Sequence, residues 1–206
     1  MFITLEGPEG SGKTTAVEQA VKKLEAMGYQ IVRTREPGGT EISEQIRNVI
    51  LDKNNTSMDP RTEALLYAAS RRQHLVEKVW PAIKEGQIVI CDRYLDSSLA
   101  YQGGARGLGI DNILNINQFA TEGTFPDLTL LFDIDPEIGL ARINSNASRE
   151  VNRLDLEKLE FHKMVRNTFL SLAKRYSDRF VIIDASQSRE KVAEATIEAI
   201  LSRLCK

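Results

Sequence analysis

The sequence has few of the features that mark membrane proteins, secreted proteins or proteins that bind nucleic acid. Only two of its 206 residues are cysteine, Cys91 and Cys205, and their separation suits neither a metal site nor a disulfide framework. The formal net charge of -2 leaves no excess of basic residues to bind a nucleic-acid polymer. The apolar start is interrupted at Glu6, and no later apolar run is long enough to span a bilayer. We therefore expect reduced thiols, a cytoplasmic location, and partners that are neither nucleic acid nor membrane.

Strand-like and helix-like segments alternate along the whole chain. This alternation predicts an α/β fold, a five-stranded parallel sheet flanked by helices on both faces. No internal repeat, low-complexity run or linker divides the sequence, and its length suits one well-buried core, so we expect a single domain over residues 1–206. The candidate strands are residues 1–6, 30–34, 87–92, 128–135 and 179–184.

A glycine-rich segment follows the first candidate strand. It matches the phosphate-binding pattern Gly, any four residues, Gly-Lys-Ser/Thr, and an amphipathic helical stripe comes directly after it. The glycines let backbone N–H groups face phosphate oxygens at the positive end of a helix, where Lys13 bridges the outer phosphates and Thr14 ligates Mg²⁺. The motif predicts a nucleoside triphosphate site formed by Gly7, Pro8, Glu9, Gly10, Ser11, Gly12, Lys13, Thr14 and Thr15.

Polar residues also follow the second and third candidate strands. Asp92 is the last residue of the third, apolar strand. Phosphate-loop proteins have a second motif of this kind, an apolar strand that ends in a carboxylate, so Asp92 is the expected Mg²⁺ partner. Arg35 and Glu36 directly follow the second strand, at the sheet edge where α/β proteins bind ligands, although a plain loop has the same composition. Tyr67 and Arg71 lie four apart on one helix, which suits either a ligand contact or a stacked surface pair. His74 and His162 have no second ligand nearby and are expected to pack.

A polar, arginine-bearing segment follows the helix that Pro136 opens. It covers residues 142–153 and predicts a short lid. A flexible glycine-rich run is expected at residues 103–109, and a long helix at residues 154–176. The arginines in the lid are either contacts for a nucleotide or solvated surface charges.

A phosphate loop alone does not decide among switches, motors and kinases. A GTPase switch would need a guanine-reading Asn-Lys-X-Asp and an Asp followed three positions later by Gly, and the sequence has neither. A nucleic-acid motor would need a charged surface that binds the polymer, and the sequence has no run of charged residues that could form one. A small-molecule phosphotransferase fits better, because arginines cluster downstream of the loop.

Taken together, the motifs resemble those of bacterial thymidylate kinases over nearly the whole chain. The shared features, in order after the phosphate loop, are Arg35-Glu36-Pro37, the run Ala68-Ala69-Ser70-Arg71, Asp92-Arg93-Tyr94 and the pair Tyr101-Gln102. The resemblance implies a P-loop nucleoside monophosphate kinase fold, a homodimer, and transfer of phosphate from ATP with Mg²⁺ to dTMP. A deoxynucleoside (thymidine) kinase, another pyrimidine monophosphate kinase and a non-enzymatic nucleotide-binding module are the alternatives.

The resemblance also assigns roles within the acceptor site. Arg93 and Arg35, with Arg47 nearby, would grip the acceptor phosphate. Tyr67 would stack on the base, Arg71 would donate to its O4, and Ser98 or Gln102 would meet N3. Glu9 would meet the sugar 3′-hydroxyl, and Tyr101 would exclude a 2′-hydroxyl. The residues implied to bind dTMP are Glu9, Arg35, Glu36, Pro37, Arg47, Tyr67, Arg71, Arg93, Ser98, Tyr101 and Gln102.

In this family the arginine that covers the transferring group comes from the phosphate loop or from the lid. The residues Pro8, Glu9, Gly10 and Ser11 are not basic, so the resemblance implies the lid type. Arg149 or Arg153 would then be the catalytic lid arginine beside Lys13 and Arg93, and Arg142 would contact the adenine.

Overall fold

The computed structural model describes residues 1–144 and 153–205. Within them, five parallel strands form one sheet in the order β2-β3-β1-β4-β5, which confirms the predicted sheet. The strands begin and end within about two residues of the predicted bounds. They are β1 Phe2–Glu6, β2 Ile31–Arg35, β3 Ile88–Asp92, β4 Leu128–Asp133 and β5 Phe180–Asp184.

Helices connect the strands and cover both faces of the sheet. None of the helices in the described part of the chain is long and apolar enough to cross a membrane. The α-helices are α1 Lys13–Ala26, α2 Glu41–Leu51, α3 Pro60–His74, α4 Trp80–Lys84, α5 Leu95–Ser98, α6 Ile110–Thr121, α7 Pro136–Asn144, α8 Leu159–Arg175 and α9 Arg189–Leu204.

Each strand divides its apolar side chains between two cores, because successive residues point to opposite faces. Val89 and Cys91 face a core shared with α3 and α8, whereas Ile88 and Ile90 face a core shared with α1 and α9. Because helices cover both faces of the sheet, successive residues of β3 and β4 are buried, and both strands are continuous apolar runs in the sequence.

The strand register gathers the carboxyl ends of three strands at one edge. Asp92 pairs in register with Leu5 of β1 and with Arg35 of β2. The phosphate loop leaves β1 at this edge, so residues that are far apart in sequence meet there.

The helix α3 has a defined start and a continuous connection to α4. Asp59 caps α3 by accepting hydrogen bonds from the backbone of Arg61 and Thr62 at 2.9 and 3.1 Å, as its position before Pro60 indicates. α3 then continues through a π-helical turn, Leu75–Val79, into α4.

Two segments depart from expectation. The run expected to be flexible starts inside a π-helical turn, Leu99–Ala105, where Gly103 is buried. The predicted helix 154–176 is divided into a 3-10 turn, Arg153–Leu156, and α8. In both places tertiary packing decides the backbone conformation, which single-residue propensities describe only weakly.

Candidate active site

One cleft of about 830 Å³ lies along the carboxyl edge of the sheet. It brings together the phosphate loop and most of the side chains that the sequence analysis selected. The predicted site residues that line it are Glu9, Gly10, Ser11, Gly12, Lys13, Thr14, Thr15, Arg35, Glu36, Pro37, Arg47, Tyr67, Arg71, Asp92, Arg93, Ser98, Tyr101, Gln102 and Arg142.

Lys13 is folded back over the phosphate loop. Its Nζ donates to the carbonyl oxygens of Gly7 and Pro8 at 3.3 and 3.1 Å and to the Ser11 hydroxyl at 3.1 Å. Burial, with the positive charge of Arg93 nearby, lowers the pKa of Lys13 to about 8, although Asp92 and Glu9 act in the opposite direction. The ammonium group therefore lies where added negative charge would stabilise it.

The phosphate loop packs tightly against α7. A Cβ on Gly10 would lie 2.1 Å from the carbonyl oxygen of Gly139, and a Cβ on Gly139 would lie 2.3 Å from that of Glu9. Gly10 also has a φ of 71°, in the left-handed region that favours glycine. The shape of the loop thus depends on a second glycine in another helix, which no local motif indicates.

Asp92 and Thr14 provide oxygen ligands suited to a metal ion. The Asp92 Oδ1 atom is buried and has no hydrogen-bond partner among the described residues. A buried carboxylate oxygen without a partner is costly unless a ligand supplies one. Thr14 is exposed at the first turn of α1, in the same cleft. The donor set fits Mg²⁺, which prefers hard oxygen ligands.

Glu9 connects the phosphate loop to the arginine-rich half of the cleft. Its Oε1 atom accepts a hydrogen bond from Nη2 of Arg93 at 2.6 Å and one from the hydroxyl of Tyr101 at 3.2 Å. Burial opposes the charge of Arg93, but Glu9 and other acidic groups outweigh it and raise the pKa of Arg93. Burial also raises the pKa of Tyr101, so its phenol stays protonated and donates.

A buried carboxyl group lies beneath this contact. The Glu6 carboxyl accepts hydrogen bonds from the Tyr94 backbone at 2.8 Å and from the Ser97 hydroxyl at 2.5 Å, and Ser97 in turn accepts from Arg93 at 3.1 Å. Burial, reinforced by Asp96, raises the pKa of Glu6 to about 8. The left-handed backbone of Arg93, with a φ of 66°, is held in place by these neighbours.

Two more arginines face the cleft from β2 and α2. Arg35 donates to the Pro37 carbonyl at 3.1 Å and pairs with Glu44 at 2.9 Å, and Arg47 donates to the same carbonyl at 2.8 Å. Pro37 follows a cis peptide bond. Both guanidinium groups therefore converge on one turn of backbone beside the site.

Arg71 is enclosed by polar side chains from several elements. Its guanidinium donates from Nε to Glu36 at 2.7 Å and from Nη1 to Ser98 at 3.1 Å, and also from Nη1 to Asn117. The Tyr94 ring lies 5.0 Å from the Arg71 Cζ atom. Asn117, on α6, was not selected from the sequence because nothing in the neighbouring residues marks it.

Gln102 and Arg153 both contact Glu63, a buried residue of α3. Gln102 donates to Glu63 at 2.8 Å, and Arg153 donates to Glu63 and, at 3.0 Å, to the Ile50 carbonyl. These hydrogen bonds overcome the effect of burial and lower the pKa of Glu63. Arg153 is itself buried and does not line the cleft. Arg149, the other candidate lid arginine, lies outside the described residues, as does most of the predicted lid.

The far end of the cleft is formed after β5. Arg142 donates to the Ala185 carbonyl at 3.1 Å, and Gln187 and Arg189 line the same wall. The latter two were not selected from the sequence, although their position after the last strand was a usable signal.

Comparisons with known proteins agree with this architecture. A family profile described as thymidylate kinase matches residues 5–196. The chain is 62% identical over 193 residues to a thymidylate kinase of Clostridium novyi (strain NT), with 94% of each chain covered. It is 59% identical over 206 residues to one from Bacillus velezensis, covering 100% of this chain and 97% of the relative.

A solved structure extends the agreement to three dimensions. The thymidylate kinase of Ehrlichia chaffeensis superposes with a TM-score of 0.78 at 32% identity, covering 98% of both chains. The profile, the curated relatives and the superposition each span nearly the whole chain. The chain therefore belongs to the thymidylate kinase family.

Proposed function

We propose that this cleft transfers the γ-phosphoryl group of ATP to the 5′-phosphate of dTMP, giving ADP and dTDP for dTTP synthesis. The observation that carries the proposal is the contact at Glu9. There the phosphate loop meets the arginine-lined half of the same cleft, through Arg93 at 2.6 Å and Tyr101 at 3.2 Å. A phosphoryl transfer needs this arrangement, because donor and acceptor phosphates must lie in line with little reorganisation.

On the donor side, the phosphate loop binds the triphosphate through its backbone, and Lys13 provides the charge. Lys13 exchanges its three protein acceptors for phosphate oxygens when ATP binds. Thr14 and the unpartnered oxygen of Asp92 would hold Mg²⁺, whose chemistry is to neutralise charge on the phosphates. Arg142 is assigned to the adenine, with Gln187 and Arg189 on the same wall.

On the acceptor side, Arg93, Arg35 and Arg47 bind the phosphate of dTMP. Guanidinium forks suit a dianionic phosphate because each provides two parallel donors. Arg93 is the best placed of the three, since it also contacts Glu9 of the phosphate loop. Glu9 would accept from the 3′-hydroxyl of the sugar, and Tyr101 would occupy the space that a 2′-hydroxyl needs.

The base is assigned to the pocket around Arg71. Arg71 donates to O4 of thymine, Tyr67 stacks on the ring, and Ser98 accepts from N3–H. Gln102 is the second candidate for N3, although its amide nitrogen is engaged with Glu63. Glu36 and Pro37 shape this pocket, and Glu36 does so by holding Arg71.

The arginine that covers the transferring group remains a proposal, divided between Arg149 and Arg153. A catalytic role for Arg153 requires it to leave Glu63 and the Ile50 carbonyl. We favour Arg149 for this reason. A homodimer and a cytoplasmic location are likewise proposed from the family resemblance and the composition.

A monophosphate panel tests the proposed activity. ADP release with ATP and Mg²⁺ should depend on added dTMP, and dCMP, AMP and GMP should support little of it. Thymidine in place of dTMP tests the nucleoside kinase alternative, which the three arginines at the acceptor phosphate position disfavour. Turnover of thymidine without turnover of dTMP would reject the proposal, and no acceptor-dependent turnover at all would indicate a binding module.

The variant Arg71→Ala tests the assignment of the base. It removes the donor proposed to meet O4, so the KM for dTMP should rise roughly tenfold to a hundredfold while the KM for ATP changes little. Arg72→Ala is the matched control, because Arg72 is next in the helix but pairs with Glu122 at 2.7 Å on the surface. Equal changes in the two KM values would refute base reading by Arg71.

A further inference from the structure

The orientation of Arg71 is fixed at two of its three guanidinium nitrogens. Nε is bound to Glu36 at 2.7 Å, and Nη1 is bound to Ser98 at 3.1 Å and to Asn117. Among the described residues, Nη2 makes no hydrogen bond, and Arg71 lines the cleft. The side chain is only 1% exposed, so Nη2 is the donor left for a ligand.

Glu36 is in turn fixed at both carboxylate oxygens. Its Oε2 accepts from Arg71, and its Oε1 lies 2.9 Å from Nδ1 of His74. A carboxylate only accepts, so Nδ1 of His74 carries the proton. The Nε2 atom of the same ring lies 2.6 Å from the Thr34 hydroxyl, which can donate or accept. His74 is fully buried, and the chain of contacts runs from Thr34 through His74 and Glu36 to Arg71.

This chain determines which polar groups the base pocket offers. With Oε1 held by His74, Oε2 held by Arg71 and a side chain that is only 2% exposed, Glu36 is engaged by the protein at both oxygens and is poorly accessible as an acceptor for a ligand. On the side formed by Arg71 and Glu36, the described residues therefore favour donation to position 4 of a pyrimidine over acceptance from it. A released Glu36 would instead accept from an amino group at that position, as cytosine carries. Engaging both oxygens removes that alternative.

We propose that His74 and Asn117 are positioning residues that determine the preference of this enzyme for a pyrimidine with a carbonyl oxygen at position 4. His74 keeps Glu36 from serving as an acceptor, and Asn117 keeps Nη1 of Arg71 engaged so that Nη2 faces the base. The inference rests on the proposed role of Arg71 in reading the base, and the experiment below separates the two.

Two substitutions of His74 separate positioning from packing. The amide nitrogen of Asn lies two bonds from Cβ, as Nδ1 does, and that of Gln lies three bonds away, as Nε2 does. His74→Asn therefore retains the contact with Glu36, whereas His74→Gln retains only the contact with Thr34. Asn leaves the larger cavity, so a purely structural role predicts that Asn is the worse replacement. Positioning predicts the reverse.

The readout is the KM for dTMP, the KM for ATP and the inhibition constant of dCMP against dTMP. His74→Gln should raise the dTMP KM and lower the dCMP inhibition constant, shifting their ratio roughly tenfold, with the ATP KM unchanged. For His74→Asn, the ratio of the dTMP KM to the dCMP inhibition constant should stay within about twofold to threefold of its value in the unmodified enzyme. The inhibition constant of 2-deoxyribose 5-phosphate, which has no base, should stay unchanged in both.

Asn117→Ala tests the second residue in the same assays. It should shift the dTMP to dCMP ratio in the same direction, whereas Asn115→Ala, an exposed position on the same helix, should not. Thr34→Val, which removes only the outermost hydroxyl of the chain, should give a smaller shift of the same sign. It serves as the test of the chain if the His74 variants do not fold, as judged by circular dichroism.

The outcomes separate the inference from its premise. If Arg71→Ala leaves the preference for dTMP over dCMP unchanged, both the base-reading role and this inference fail. If Arg71→Ala abolishes that preference while His74→Gln, Asn117→Ala and Thr34→Val all retain it, the positioning role alone is overturned. A larger effect of His74→Asn than of His74→Gln also overturns it, because packing would then explain the result.

Discussion

The two ends of the cleft are built by different means. The phosphate end, where we propose that the ATP phosphates bind, is one continuous segment of eight residues, 7–14, of which residues 9–14 line the cleft. The base end, where we propose that thymine binds, is assembled from side chains of separate elements: Ser98 on α5, Asn117 on α6 and Glu36 after β2 all accept hydrogen bonds from Arg71 on α3. One end is defined by backbone conformation, the other by tertiary contacts.

The two ends also differ in how their charges are balanced. Arg71 is paired with Glu36 before any ligand arrives, at 2.7 Å. Among the described residues, Lys13 instead donates to neutral oxygens, and its pKa is lowered to about 8 by burial and by Arg93. In the base pocket the positive charge is thus balanced by a carboxylate without substrate. In the phosphate site we expect the positive charge to be balanced only when phosphate binds.

This difference predicts the largest effect at Lys13. Replacing it in Lys13→Met removes the charge that phosphate is expected to pair with, and turnover should fall about a hundredfold to a thousandfold in steady-state kinetics. Stability should change little or improve, because a buried charge with neutral partners is removed. Lys22→Met, at an exposed position of α1, is the control. A marked loss of thermal stability in Lys13→Met would show that the phosphate site is charge-balanced without ligand, against our comparison.

Gly139→Ala is expected to affect the phosphate end alone. In an ordinary helix Ala is preferred to Gly by about 0.5–1 kcal/mol. Here the new Cβ would lie 2.3 Å from the Glu9 carbonyl, so the loop must move, and the KM for ATP should rise about tenfold while that for dTMP rises much less. Ala141→Ser, at an exposed position of the same helix, controls for changes in α7. Equal changes in the two KM values would show that the ends of the cleft are not independent.

The smallest effect on turnover is expected for Glu6→Gln, beneath the junction of the two ends. Its raised pKa of about 8 means that the folded state holds a proton which the unfolded state releases near pH 4.5. This contribution to stability is present in full below pH 4.5 and is lost as the pH rises towards 8. Gln mimics the protonated form, so the free energy of unfolding should depend less steeply on pH between 4.5 and 8.

Chemical denaturation at a series of pH values measures this change. Besides burial, Asp96 favours protonation of Glu6, whereas the hydrogen bonds from Ser97 and the Tyr94 backbone and the charge of Arg93 oppose it. Asp127→Asn, a surface-edge carboxylate bonded to the Phe2 backbone at 2.7 Å, serves as a comparison for a carboxylate outside this cluster. An unchanged pH dependence in Glu6→Gln would mean that Glu6 is ionised in the folded protein.

The phosphate end was predictable because its signals are local. The glycine-rich pattern, the strand before it and Asp92 at the end of an apolar run all lie within short windows, where periodicity and turn chemistry are informative. The same holds for the five strands. Even so, no local pattern predicts that the loop packs against Gly139 of α7, because Gly139 and Glu9 are 130 residues apart in sequence.

The base end was only partly predictable. The spacing of Tyr67 and Arg71 pointed to a ligand face, but it did not distinguish that face from a surface pair. His74 was expected only to pack, and Asn117 was not selected. Their hydrogen-bond partners are 38 and 46 residues away in sequence, beyond the reach of any local pattern.

The amino-acid sequence by itself determined the sheet and the phosphate loop, since backbone periodicity and loop chemistry act between near neighbours, whereas the residues proposed for the acceptor site came from the resemblance to a family. The tertiary structure decided which side chains share a hydrogen bond, because a buried polar group takes whichever partner the packing brings within reach. It is this second step that engages both oxygens of Glu36 and leaves Nη2 of Arg71, a residue that lines the cleft, without a hydrogen bond among the described residues.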